Sequence, residues 1–401
     1  MNKLKLFGRP DSSEVYPLRD FLIRSVIDFE WIDIKEGSTD FTAIEFQNGE
    51  LIISPTIEEI ARRLGWINKP KYDEYDVSIY GAGPAGLSAA VYAASEGLRT
   101  ILIEKEAIGG QAGTSSLIEN YLGFPGGISG ASLAERAREQ ALKFGVEILL
   151  LKEGIKGSFY NNRITVELAN GGKMVAKSNI CATGIEYAKL NLLDEEKFFH
   201  KGVYYGAGAS EACFCKGKDI FIIGGGNSAG QAACHFSTFA RKVYMVIRKG
   251  NLSFTLSDYL VKRVKNIKNV EILYYSEVIA LEGDDHLSRI KIYNTQENKE
   301  TWYTTSKLFI CIGGNPNTEW TKGTAILKDQ NGYLITGSDL IGIKGFSDSW
   351  KPDRLPYHLE TSVPGSFAAG DVRFNAVKRV ASAVGEGAMA VTLVHKYLTE
   401  L

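Results

Sequence analysis

The sequence predicts an α/β protein of two or three domains in which one β-α-β unit occurs twice. Three observations predict it. At 401 residues the chain is too long for one ordinary core. A buried strand, a glycine turn and a small-residue helix occur together over residues 77–96 and again over residues 220–239. The 42 Gly against 10 Pro point to tight turns and close backbone approach rather than to linkers.

Residues 1–70 read as a small α/β domain of their own. Lys5-Leu6-Phe7 reads as a strand, and Asp11-Ser12-Ser13 supplies N-cap candidates for a helix carrying Val15, Leu18, Phe21 and Leu22. Pro17 is acceptable in its first turn, where amide donors have no helical partner. Strand-like runs follow over residues 29–34, 41–44 and 51–53, then a helix over 56–64 that ends at Gly65. The polar stretch 68–74 predicts a linker.

From residue 75 the pattern becomes β-α-β. Val77-Ser78-Ile79-Tyr80 is a buried strand, residues 81–86 (Gly-Ala-Gly-Pro-Ala-Gly) a turn, residues 87–96 a helix and residues 100–104 a second strand. The second copy has a strand over 220–223, a turn from Gly224 to Ala229, a helix to about Phe239 and a strand over 243–247. This is the strand–turn–helix of a Rossmann unit. Its first glycine permits the sharp bend, its second lets the backbone approach a pyrophosphate, and its third lets helix and strand pack closely. The helix N-terminus then offers unpaired N–H groups and partial positive charge to the phosphates.

The residues ending the second strands separate two dinucleotides. Glu104 can accept from a ribose diol, which suits the adenosine of FAD, with Gly81, Gly83, Pro84, Ala85 and Gly86 at its pyrophosphate. The second copy, with Gly224, Gly226, Asn227, Ser228 and Ala229 in its turn, ends in Arg248-Lys249. Two cations there suit the 2′-phosphate of NADPH, where a carboxylate would repel it.

Composition excludes several classes. A net charge of −1 gives no electrostatic grip on nucleic acid or anionic lipid. No apolar run reaches the roughly 18 residues of a membrane span, and the start has no secretory core. Five scattered Cys do not form a secreted disulfide framework, so a cytoplasmic protein is expected. Five His without close spacing give no metal site.

With these motifs placed, residues 75–401 resemble the low-molecular-weight thioredoxin reductase family. Its marks are residues 81–86, Gly109-Gly110-Gln111, Ile118-Glu119-Asn120-Tyr121, Ala182-Thr183-Gly184, residues 224–229, residues 312–318 and residues 363–372. The resemblance implies two Rossmann-like dinucleotide-binding domains, one inserted in the other. FAD would take residues 71–188 and 307–401, and NAD(P)H residues 189–306, in a homodimer. It also implies that Gly110, Gln111, Thr183 and Gly184 belong to the FAD site and Gly313 to the NAD(P) site. Gly370-Asp371 would hold the ribityl and pyrophosphate, and Asn120 would lie near the isoalloxazine. Arg379 and Val380 stand where the family has Arg-Gln, so a backbone amide must serve for the glutamine.

The chain departs from that family at its dithiol. The two positions of the family's Cys-x-x-Cys hold Ala207 and Ser210. Cys213 and Cys215 lie just beyond, and they read either as a displaced redox pair or as two small apolar residues, the second reading being favoured. Ser253, where the family has a further Arg, weakens the preference for NADPH over NADH. The N-terminal domain resembles a shortened thioredoxin or glutaredoxin fold. Its dithiol position falls in residues 8–14, which hold no Cys. The whole resembles a thioredoxin reductase-like branch with a redox-inactive glutaredoxin-like domain. The expected function is hydride transfer from NAD(P)H to FAD, then electron transfer to an acceptor the sequence does not identify, such as a small redox protein. Alternatives are a protein disulfide reductase using Cys213 and Cys215, and a flavin-loaded sensor or adaptor without turnover.

Overall fold

The computed structural model describes residues 3–10, 12–34, 41–66, 69–169, 171–206 and 208–401. Ala207 and Asp11 lie outside the described residues, as does Asn68 of the expected linker. The chain forms two compact units. The first comprises residues 1–59, 114–118 and 187–314, and the second residues 60–113, 119–186 and 315–401.

The first unit opens with β1 (Leu4–Gly8), α1 (Val15–Arg24), β2 (Phe29–Asp33), β3 (Ala43–Glu45) and β4 (Leu51–Ile53), in sheet order β2-β1-β3-β4. β1 runs parallel to β2 and antiparallel to β3. Leu4 and Leu6 alternate inward along β1, and Val15, Leu18 and Leu22 form the buried stripe of α1. The expected cap of α1 is displaced. Glu14 holds the N-cap position without a side-chain bond, and the Ser12 hydroxyl instead accepts from the Glu14 amide at 3.3 Å. α2 (Ile57–Arg63) begins with a reciprocal capping box, Thr56 and Glu59 each binding the other's backbone amide, and stops at Gly65 with φ +72°.

The second unit carries β5 (Tyr75–Tyr80), α3 (Pro84–Ser95), β6 (Thr100–Glu104), α4 (Gly130–Lys143), β7 (Glu147–Leu150), β8 (Gly154–Tyr160), β9 (Arg163–Leu168) and β10 (Lys173–Cys181). Much later the chain adds α7 (Phe346–Ser349), β21 (Ser366–Ala368) and α8 (Val380–Leu398). The sheet order is β7-β6-β5-β10-β9-β8, with β21 parallel to β10. α3 starts at Pro84, three residues before the predicted start. Proline's fixed φ suits the first helical position, so the end of the turn becomes helix.

The chain passes between the units through the short strands β11 (Ile185–Tyr187) and β20 (Gly314–Pro316). The rest of the first unit holds β12 (Val203–Tyr205), β13 (Asp219–Ile223), α5 (Asn227–Phe236), β14 (Lys242–Val246), α6 (Asp258–Asn266), β15 (Val270–Leu273) and β19 (Leu308–Ile310). These strands form a parallel sheet in the order β12-β19-β13-β14-β15. β16 (Ser276–Glu282), β17 (Arg289–Asn294) and β18 (Lys299–Thr304) form an antiparallel sheet of their own. α5 begins at Asn227 and ends at Phe236, earlier at both ends than predicted. In both units the strand before the glycine turn lies between the second strand of the repeat and a strand from later in the chain. That switch point is where open α/β sheets leave a crevice.

Candidate functional site

In the second unit the chain leaves β5 through Gly81, at φ +101°, where a Cβ would lie 2.3 Å from the Ala182 carbonyl oxygen. A Cβ on Gly86 would lie 1.8 Å from the Gly81 oxygen, so only glycine lets α3 pass that close to the turn. Gly83 serves differently. A Cβ there would meet only the Gly110 Cα, at 4.0 Å, so its bare face borders open space. Gly83 is also the N-cap of α3 and offers no side chain to the first-turn amides, which leaves that end of the helix open to an anion.

Glu104 ends β6 and turns inward. Its carboxylate accepts from the Ala82 amide at 2.7 Å and from the Glu106 amide at 2.8 Å, tying the strand end to the glycine turn. A cavity of about 250 Å³ opens beside it, lined by Tyr80, Gly81, Glu104, Thr183, Asn179 and Asn317 among others. Two buried atoms of its lining residues, Tyr80 Oη and Asn179 Oδ1, have no protein partner. Burial pushes the Tyr80 phenol well above its ordinary range, so it remains a neutral donor. A glycine turn and a buried carboxylate at one cavity fit the adenosine end of FAD.

Other predicted FAD residues converge on the same turn. A Cβ on Gly110, at φ +53°, would lie 3.1 Å from the Gly83 Cα, and one on Gly370 would lie 3.0 Å from the Ala85 Cβ. Gln111 Nε2 donates to the Ile185 carbonyl at 2.6 Å, Thr183 Oγ1 to the Asn317 carbonyl at 2.8 Å, and the Asn317 amide to the Gly184 carbonyl at 3.1 Å. Asp371 follows Gly370. Burial raises its carboxyl pKa, with Lys378 and Arg379 acting against that rise and Glu386 adding to it. Arg379 is the exposed N-cap of α8 and Val380 its first residue. Asn120 lies exposed in a bend.

Sequence reasoning missed Glu386. Its carboxylate accepts from the Gly370 amide at 2.8 Å and pairs with Arg373 at 2.8 Å, fixing the loop that ends in Asp371. The signal was present. A charged residue between Gly385 and Gly387 interrupts a small-residue helix, and a Cβ on Gly387 would lie 2.1 Å from the Ala85 oxygen.

The first unit repeats the turn with a different finish. Gly224 has φ +135°, and a Cβ there would lie 2.3 Å from the Cys311 oxygen. Gly226 caps α5 with open space around its Cα, Ala229 is fully buried and Ser228 is exposed. Asn227 is engaged elsewhere. Its side chain accepts from the Ser257 amide at 2.8 Å and donates to the Ser257 hydroxyl at 3.0 Å, so it fastens the start of α6. Arg248 and Lys249 lie just beyond β14, both exposed, and Lys249 stands 5.8 Å from the Phe254 ring centre. Gly313, at φ +93°, accepts from the Ala188 amide at 3.0 Å. An open helix N-terminus with two exposed cations at the strand end fits the phosphates of NADPH.

All five cysteines are free. Cys213 and Cys215 lie in a 3₁₀ turn over Ala209–Cys215. Gly208, at φ +51°, starts that turn. Cys213 is exposed, and burial of its sulfur lifts its pKa above the ordinary value. Cys215 is fully buried and pushed up to about 12, its thiol donating to the Glu211 carbonyl at 3.3 Å. Cys181 and Cys311 are buried, and Cys234 is half-buried against the same core as Cys215. Among the described residues no cluster could hold a metal ion, and no helix is long and apolar enough to cross a membrane.

Comparison with known proteins agrees with this geometry. The pattern of the pyridine nucleotide-disulphide oxidoreductase family matches residues 75–387. Thioredoxin reductase 1 of Saccharomyces cerevisiae is 34% identical over 342 residues, covering 81% of this chain and 98% of its own. Thioredoxin reductase of Bacillus subtilis is 33% identical over 330 residues, covering 82% and 96%. The crystal structure of Lactococcus lactis thioredoxin reductase superposes with a TM-score of 0.72 at 29% identity, covering 82% of this chain and all of its own.

Proposed function

The chain belongs to the pyridine nucleotide-disulphide oxidoreductase family as a thioredoxin reductase-like, FAD-dependent NAD(P)H oxidoreductase, and we propose that it passes electrons from its flavin to an acceptor without an internal dithiol. FAD, when bound, supplies the hydride acceptor and the route to the second substrate. The chain's own residues do the rest. The α3 N-terminus and the bare face of Gly83 take the pyrophosphate, Glu104 orients a ribose, and Glu386 holds the Gly370-Asp371 loop. The Gly224 turn and α5 receive the nicotinamide dinucleotide, with Arg248 and Lys249 at its 2′-phosphate.

One observation carries this reading. The chain keeps both dinucleotide turns while its five thiols are all free, with Cys181, Cys215 and Cys311 buried. Burial raises the pKa of both Cys213 and Cys215, which disfavours the thiolate that disulfide exchange needs. We further propose three domains, a redox-inactive thioredoxin- or glutaredoxin-like fold over residues 1–70, an FAD domain over 71–188 and 307–401, and an NAD(P)H domain over 189–306. The protein is proposed to work as a cytoplasmic homodimer.

Anaerobic mixing with NADPH, then with NADH, tests the reading. Flavin absorbance in the visible should bleach with at least one of them. The reduced protein is then offered a disulfide, a quinone, a ferredoxin and oxygen, and the acceptor is the one that restores the colour. No bleaching with either nucleotide overturns the proposal.

A further inference from the structure

Helix α1 packs, within the first unit, on the 3₁₀ turn that precedes β13. Arg19 of α1 is 2% exposed and its guanidinium pairs with the carboxylate of Glu211, which is fully buried. Arg19 Nη1 also donates to the Pro10 carbonyl at 3.3 Å. Lys307, 2% exposed, reaches the second Glu211 oxygen at 2.6 Å and the Tyr204 hydroxyl at 2.8 Å. The Arg19 guanidinium lies 4.3 Å from the Phe214 ring centre and 5.3 Å from that of Trp31, and those two rings meet edge-on at 5.5 Å. The contact extends to the neighbouring position. The Ser210 hydroxyl donates to Asp20 Oδ1 at 3.3 Å, and the Tyr16 ring lies against that of His200, tilted by 33° with centres 4.2 Å apart.

Exchangeable protein contacts keep most of their charge at a wet rim. Here two cations and a carboxylate lie at the buried centre of the contact, and opening it would give up the Arg19 half of that network. The contact is therefore a standing one. Ser210 occupies the second position of the family's dithiol, and α1 covers it with Asp20 and Tyr16.

We propose that α1, with the β1–β4 sheet of its own unit, forms a fixed plug over the Ser210–Cys215 segment, held by the Arg19–Glu211–Lys307 triad, which closes that face to an external protein disulfide. The loss of the dithiol and the presence of the N-terminal fold are then one structural fact. This proposal deepens the functional reading above, because it directs the acceptor to the flavin rather than to this face, but the contact stands without it.

The test uses the full-length, FAD-loaded protein. S210C is introduced in a Cys213→Ser background and labelled with a maleimide, with the Cys213→Ser parent as reference. The additional thiol should label about 100-fold more slowly than in urea, since it reacts only on local opening. Adding Arg19→Met should speed labelling about tenfold, and Arg19→Lys, which keeps the cation, should speed it less. Native labelling at the rate seen in urea overturns the plug. If S210C does not fold, hydrogen exchange of residues 209–215 in the unaltered protein decides. Protection for minutes or longer supports the plug, and exchange at the rate of an open loop overturns it. Bleaching by NADPH is recorded on the same samples. Fast labelling with normal bleaching removes the plug alone, whereas slow labelling without bleaching supports the plug and removes the oxidoreductase reading.

Discussion

The two glycine turns are alike in backbone and unlike in what surrounds them. Gly81 and Gly224 both have positive φ, and each would drive a Cβ into the carbonyl of a neighbouring strand, at the same 2.3 Å. Beyond that they diverge. The FAD-type turn is braced by Glu104, by the Gly110 approach and by the Gly370 loop that Glu386 fastens. The nicotinamide-type turn ends in exposed Arg248 and Lys249, and the side chain of its Asn227 is spent on α6. A preorganised, partly buried site retains a ligand, because little ordering remains to be done on binding. An exposed one lets its ligand come and go. On the proposed assignment, the difference is that between a resident cofactor and a diffusing substrate.

The largest effects should come from the braced turn. Gly86→Ala places a Cβ against backbone with nothing flexible to yield, at 1.8 Å from the Gly81 oxygen. Overpacking of about 3 kcal/mol predicts roughly 100-fold weaker flavin retention. The ratio of flavin to protein absorbance after gel filtration checks it. Gly226→Ala in the other turn meets nothing within 4 Å on the protein side, so flavin content should be unchanged there. Equal flavin loss in both variants would erase the distinction between the turns.

Glu104→Gln comes next. The amide offers an NH₂ group where the carboxylate accepts from Ala82 or Glu106. Losing one charge-assisted bond at a residue this buried costs about 2 kcal/mol, roughly 30-fold in FAD affinity, with the nicotinamide affinity of reloaded protein unaltered. Titration of apoprotein with FAD measures the first quantity, and the KM for NADPH the second.

The open turn should respond more mildly. Arg248→Ala with Lys249→Ala removes two exposed cations, each contributing on the order of 0.5–1 kcal/mol to a phosphate contact, so the KM for NADPH should rise about tenfold. The KM for NADH should stay within about twofold, since it lacks the 2′-phosphate. A parallel rise for both nucleotides would move the cations from specificity to general binding. Raising the salt concentration should shrink the same difference.

These contrasts also mark how far the sequence could be read. The glycine turns were legible because a positive φ and a backbone approach leave only glycine, and Glu104 was legible because it ends the second strand of its unit. Helix starts moved by three residues at Pro84 and Asn227, since turn and first helical turn share the same residues. Glu386 lies only 16 residues from the Gly370 amide that it holds, whereas Asn317 escaped because its role depends on a segment far away in the chain, as Gly184 is brought to it only by the fold. The packing of α1 on the 3₁₀ turn escaped for the same reason. Arg19 and Glu211 are ordinary surface residue types until the fold buries them together.

The smallest expected effect belongs to the thiols. A Cys-x-Cys pair looks reactive in sequence, yet reactivity follows the thiolate, and burial raises the pKa of Cys213 and takes that of Cys215 up to about 12. At neutral pH both are then held as thiols. Cys215 is out of contact with water and donates to the Glu211 carbonyl, whereas Cys213 is exposed. Cys213→Ser should therefore leave NADPH-dependent turnover with the acceptor that reoxidises the flavin within about twofold, because no step in the proposed route passes through sulfur. Cys215→Ala should do the same for turnover while lowering stability modestly, by about 1 kcal/mol for a small cavity. Steady-state rates between pH 6 and 9 sharpen the comparison, since a thiolate mechanism would accelerate as the pH rises toward a thiol pKa and lose that acceleration in Cys213→Ser. A rate that collapses in Cys213→Ser would return the dithiol to the mechanism and make the nicotinamide unit, not the flavin unit, the place where electrons leave.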